Sequence, residues 1–60
     1  MKSNKQIESQ LRIFAYDFKN SRTTAGKHLV DMRTFEYLDR FVFCDKDYDK
    51  HLNYYANLTK

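Results

Sequence analysis

Residues 32–44 read MRTFEYLDRFVFC, the densest run of large apolar side chains in the chain. Met32, Phe35, Leu38, Phe41, Val42, Phe43 and Cys44 are of core type, and Tyr37 adds a ring with a polar tip. Met32, Phe35, Leu38 and Val42 fall on one helical face, with Phe41 on its flank and with Tyr37 and Phe43 pointing elsewhere. A strand reading competes, because Phe35-Glu36-Tyr37 and Phe41-Val42-Phe43 alternate in the period of a half-buried strand. No turn signal separates the two triplets, so the helix is preferred. It is expected over about 31–43, with Asp31 at its start, although Ala25, Leu29 and Met32 would also suit a helix that begins earlier.

Working outward, the flanking segments carry cleaner patterns. On the N-terminal side, Ile7, Leu11, Phe14, Ala15 and Phe18 recur at i, i+4, i+7, i+8 and i+11, which is one apolar stripe at about 100° per residue. Ser3-Asn4-Lys5-Gln6 precedes them and fits a capping box. A helix over about 4–20 follows, ended by Asn20, which tolerates the left-handed conformation. Ser21–Lys27, SRTTAGK, is polar, holds the sole glycine and reads as a loop. On the C-terminal side Tyr48, Leu52, Tyr55 and Ala56 repeat the stripe behind a candidate cap, Asp45, with Asp47 favourably placed against the helix dipole. The fold class is therefore all-α: one small three-helix domain over residues 1–60, with helices near 4–20, 31–43 and 46–58. Phe14, Phe18, Phe35, Leu38, Val42 and Leu52 are its expected core.

Composition agrees with helices and narrows the function. The chain has no proline and one glycine, so the turns of an all-β fold are scarce. Sixty residues bury only about 60% of their unfolded surface. Such a domain depends on large side chains, a partner or self-association. Five Phe and five Tyr supply the first. The single Cys44 allows no internal disulfide, and the opening MKSNKQIESQ lacks the apolar core of a signal peptide. The longest purely apolar run is Phe41–Cys44, far short of a membrane span. A cytoplasmic protein is expected, and the Asn57-Leu58-Thr59 sequon carries no weight without export.

Motifs for chemistry are tested and fail. Asp45-Lys46-Asp47-Tyr48-Asp49 opens like a calcium loop, but Lys50 stands where Gly is needed and Ala56 where Glu is needed. Cys44, His28 and His51 have no zinc-site spacing, and Cys44 reads as a small buried hydrophobe. Gly26-Lys27 resembles the end of a phosphate loop, but His28 replaces the magnesium-binding hydroxyl and Ser21 the first glycine. No nucleophile stands beside a base at a recognisable spacing. Neither enzyme, cofactor nor metal is expected.

Two binding functions remain. Ile13, Tyr16, Tyr37, Phe43 and Tyr54 do not fit the core stripes, and Tyr fills protein interfaces because it is large, stiff and polar-tipped. The preferred reading is a non-enzymatic regulator of inhibitor or adaptor type. It would bind a protein partner, or itself as a homodimer, through Tyr16, Tyr37, Phe43 and Tyr54. Short chains rich in Lys, Asn, Phe and Tyr suit phage-type regulators. The alternative is a small DNA-binding regulator with a helix-turn-helix at Thr24–Leu38, broken at Val30-Asp31. Arg12, Lys19, Arg22, Lys27 and Arg33 would then meet the phosphates. The chain has a formal charge of +3, with six basic against two acidic residues in 1–30 and five against six in 31–60. Asp31, Glu36 and Asp39 count against the would-be recognition helix.

Overall fold

A computed structural model describes residues 2–60. Among them the chain forms three α-helices and no strand: α1 (Asn4–Asn20), α2 (Thr24–Phe41) and α3 (Asp45–Leu58). None is long and apolar enough to cross a membrane. The bundle measures 32 × 16 × 16 Å. Helix α1 is the central element, with α2 and α3 each packed along it and a smaller contact between those two.

Each helix start is set locally. The Ser3 hydroxyl accepts from the Gln6 amide at 3.3 Å, while Gln6 Oε1 accepts from the Ser3 amide at 2.9 Å, which closes the capping box. Thr23 caps α2 by accepting from the Gly26 amide at 3.0 Å. Helix α2 therefore begins at Thr24, seven residues before Asp31, and the loop shrinks to Ser21-Arg22-Thr23. The Thr-rich, Gly-containing stretch reads as a break, yet its threonine is a cap and Gly26 lies in the first turn. The expected stop at 43 also moves, since α2 ends at Phe41. At α3 the N-cap is Cys44, whose side chain makes no capping bond, and Asp45 and Asp47 sit in the first turn instead. There their carboxylates face the positive end of the helix dipole.

The end of α1 differs from expectation too. Among the described residues no non-glycine residue has a positive φ, so Asn20 is not left-handed. Ser21 is extended (φ −70°, ψ 128°) and its hydroxyl and amide both donate to the Asp17 carbonyl at 3.0 Å. Lys27 reaches back from α2 to donate to the Phe18 carbonyl at 3.0 Å. A cation thus neutralises the negative end of α1 and ties the first two helices together.

The core is small. Ile7, Leu11 and Ala15 of α1, Val30 and Leu38 of α2 and Tyr55 of α3 are buried, together with two polar residues, Thr34 and His51. Phe14, Tyr37, Val42, Tyr48, Leu52, Tyr54 and Leu58 pack partly buried around the central cluster. Of the expected core only Leu38 is fully buried; Phe14, Phe18, Val42 and Leu52 lie at its edge, and Phe35 faces outward. The register of α2 explains this. Its inward face is Val30, Thr34 and Leu38 at i, i+4 and i+8, flanked by Tyr37, whose ring meets Phe14 edge-on at 5.8 Å. Thr34 tolerates complete burial because its hydroxyl donates to the Val30 carbonyl at 2.9 Å. The Tyr55 hydroxyl donates to Asp31 Oδ1 at 2.9 Å, which holds that side of α2 against α3.

Candidate functional site

The same register turns Leu29, Met32 and Phe35 outward. They span about 120° of arc at 100° per residue, and they are 49%, 46% and 40% exposed. Three large apolar side chains thus run along the solvent side of α2, with Ala25 at the N-terminal end of the row. Polar and charged neighbours rim them: His28, Arg33, Glu36 and Asp39 are all exposed. Beside this row lies a groove of about 290 Å³ between α1 and α2, lined by Phe14, Arg33, Glu36, Tyr37, Arg40 and Phe41. Arg40 is turned toward its own Phe41, its guanidinium 5.9 Å from the ring centre.

The four aromatics expected to bind a partner do not form one surface. Tyr16 is 70% and Phe43 76% exposed. Tyr37 is half-buried between Phe14 and Phe41, and burial raises its hydroxyl above the usual tyrosine value. Tyr54 is half-buried as well and accepts from Arg12 Nη1 at 3.1 Å. Tyr37 and Tyr54 therefore pack against the core of the bundle with part of each side chain left exposed. Phe43 stands near Asn4 at one end of α1, whereas Tyr16 lies twelve residues further along it, roughly 18 Å away. Ile13, 54% exposed, shares the outer side of α1 with Tyr16.

The five basic residues of the DNA reading are scattered in the same way. Arg12 donates to Tyr54 and to the Ser9 hydroxyl, both at 3.1 Å, and so faces α3. Lys27 is half-buried over the Phe18 ring, 4.8 Å from its centre. Lys19 and Arg22 are exposed near the first loop, and Arg33 borders the α1–α2 groove. The break expected at Val30-Asp31 is absent, because α2 runs unbroken through both residues. The motif as read from Thr24 to Leu38 is one continuous helix.

A second concavity, about 170 Å³, opens where the start of α1 meets the α2–α3 connection. Lys2, Asn4, Ile7, Phe41, Val42, Phe43, Cys44, Asp47 and His51 line it. Cys44 is exposed, contrary to its expected burial. His51 is only 1% exposed, and both of its ring nitrogens are shut from solvent without a hydrogen-bond partner among the described residues. Cys44, Asp47 and His51 share this notch, but among the described residues no three such side chains gather as a metal-binding group.

The outward row on α2 is the feature that sequence reading misplaced. Its signal was present: the segment carries two apolar arcs, Leu29/Met32/Phe35 and Val30/Leu38 with Tyr37 and Phe41. A helix with two apolar arcs can bury only one of them against two neighbours lying on the same side.

No family model, curated protein or solved structure matches this chain.

Proposed function

We propose that the chain is a small non-enzymatic regulator that acts by binding another protein, with the outer face of α2 as its contact surface. The observation that supports this is the row Leu29, Met32 and Phe35, left outward while Val30, Thr34 and Leu38 are buried and Asp31 is tied to Tyr55 of α3. An apolar row on a rigid helix, rimmed by charges of both signs, is the form in which helices enter a partner's groove or pair with another helix. The mixed rim limits which partners fit, since a wrong juxtaposition of charges is penalised. The reading replaces Tyr37 and Tyr54 by Met32 and Phe35 as anchors and keeps the inhibitor or adaptor role. A cytoplasmic setting suits a lone, exposed thiol.

The test is capture from a nuclease-treated host lysate on immobilised chain, comparing wild type with Met32→Glu and with Phe35→Glu. A protein retained by the wild type and lost from both variants is expected. Equal retention by all three would remove α2 from the contact surface. Partners that disappear with nuclease treatment would turn attention to nucleic acid.

A further inference from the structure

Along the outer face of α2 the charges are ordered. The cation Arg33 precedes the carboxylates Glu36 and Asp39, with the hydrogen-bonding ring of His28 before it and Arg40 beside its own Phe41 after them, all exposed. Resting on the interaction reading above, we infer that the occupant of this face is a second copy of the chain, packed α2 against α2 and antiparallel.

The geometry of such a pair follows from two-fold symmetry, in which a residue and its contact exchange roles. An axis passing near the middle of α2, between Arg33 and Thr34, sets Met32 of one copy against Phe35 of the other, and the reverse. The same axis brings Arg33 beside Glu36 of the second copy and His28 beside Asp39 of the second copy. Each contact occurs twice. Leu29 then rests between the aliphatic stems of Glu36 and Arg40 of the second copy. A parallel pair would instead carry Arg33 and Glu36 of the two copies to opposite edges of the seam, so the Arg33–Glu36 contact belongs to the antiparallel arrangement.

The need for association is visible in the core. Among the described residues six apolar side chains are buried, and two of the fully buried positions are held by Thr34 and His51. A domain this thin gains more than a larger one from covering a further apolar row. The area sets the strength. Helix α2 has 18 residues, so it is about 27 Å long and one face contributes on the order of 400–500 Å² per copy. That is below the roughly 800 Å² per partner of a standard interface, which points to a weak, concentration-dependent dimer.

Sedimentation equilibrium of the purified chain from about 10 μM to 1 mM, a range that spans weak association, reads the dimer directly. The wild type is expected to rise from monomer mass toward dimer mass, and Met32→Asp to stay monomeric with unchanged helicity. Arg33→Glu and Glu36→Arg should each weaken the dimer, and the double exchange should restore it, because the swapped charges meet again across the axis. A wild type that remains monomeric throughout overturns the self-pairing. In that case, lysate capture by wild type but not by Met32→Glu leaves the broader interaction reading standing with a foreign partner, and loss of both results removes it as well. A dimer indifferent to Met32→Asp and to the charge exchange overturns the α2 seam.

Discussion

Replacing His51 by leucine should make the protein more stable, although it removes one of the most deeply buried side chains. A neutral imidazole carries one N–H donor and one acceptor. Here both ring nitrogens are buried with no partner among the described residues, and the residue is essentially inaccessible. Each polar group buried in this way costs about 1–3 kcal/mol relative to its hydrated state, or roughly 2–6 kcal/mol for the pair. Leucine has a similar volume and no polar atoms, but it forfeits the ring's contacts and must settle among neighbours shaped around a planar group. Imperfect repacking of that kind typically costs under about 1.5 kcal/mol. A net gain of at least about 0.5 kcal/mol remains. For a 60-residue domain that corresponds to a rise in Tm of at least about 2–4 °C. Thermal melts followed by far-ultraviolet circular dichroism would measure it, with urea melts as a second reading in which the midpoint rises and the slope is unchanged. An unchanged or lower Tm would refute the reasoning. It would mean that water enters from the adjoining notch and satisfies the ring nitrogens, so that their burial carries no penalty to recover.

Other substitutions test the register and the cross-links of the bundle. Leu38→Ala removes a completely buried side chain and should cost about 2–5 kcal/mol, enough to unfold much of so small a domain. Met32→Ala on the outer face should stay within roughly 0.5 kcal/mol, and equal losses at the two positions would contradict the orientation of α2. Burial, and then the neighbouring Asp31, push the Tyr55 hydroxyl up to about 12. A raised value means that the stabilisation is complete below the ordinary tyrosine value near 10 and is lost as pH climbs from about 10 toward 12. Alkaline titration followed by circular dichroism should show that loss, and Tyr55→Phe should reduce it by on the order of 1–2 kcal/mol; an identical alkaline limb in the variant would contradict it. Thr23→Ala should lower stability by about 1 kcal/mol through loss of the α2 cap, and a neutral result would place the start of α2 elsewhere.

The exposed row Leu29, Met32 and Phe35 follows from a competition within α2. Both of its apolar arcs offer comparable hydrophobic gain, so side-chain detail decides which is buried. Inward, Thr34 satisfies its own hydroxyl, Tyr37 meets Phe14 edge-on and Asp31 receives the Tyr55 hydroxyl. Met32 and Phe35 supply larger apolar side chains than Val30 and Thr34, yet they are the ones left outside. Size alone does not choose the face, because α1 and α3 must both find complementary shapes on the same side of the helix.

What the sequence determined by itself is local. The period of Ile7, Leu11, Phe14, Ala15 and Phe18 and the reciprocal bonds of Ser3 and Gln6 specify α1 from neighbours within one or two turns, and these features appear as read. The stripe through Tyr48, Leu52 and Tyr55 does the same for α3. With no proline and one glycine, little else than helices was open to the chain. The tertiary structure decided the rest: where α2 begins, which of its arcs is buried, that Tyr37 and Tyr54 support the bundle, and that His51 is enclosed without a partner. Helix formation depends on residues three and four apart, whose spacing is written in the chain. Choosing between two apolar faces depends on shapes and hydrogen-bond partners 24 and more residues away, such as Tyr55 for Asp31, and those meet only once the helices have packed.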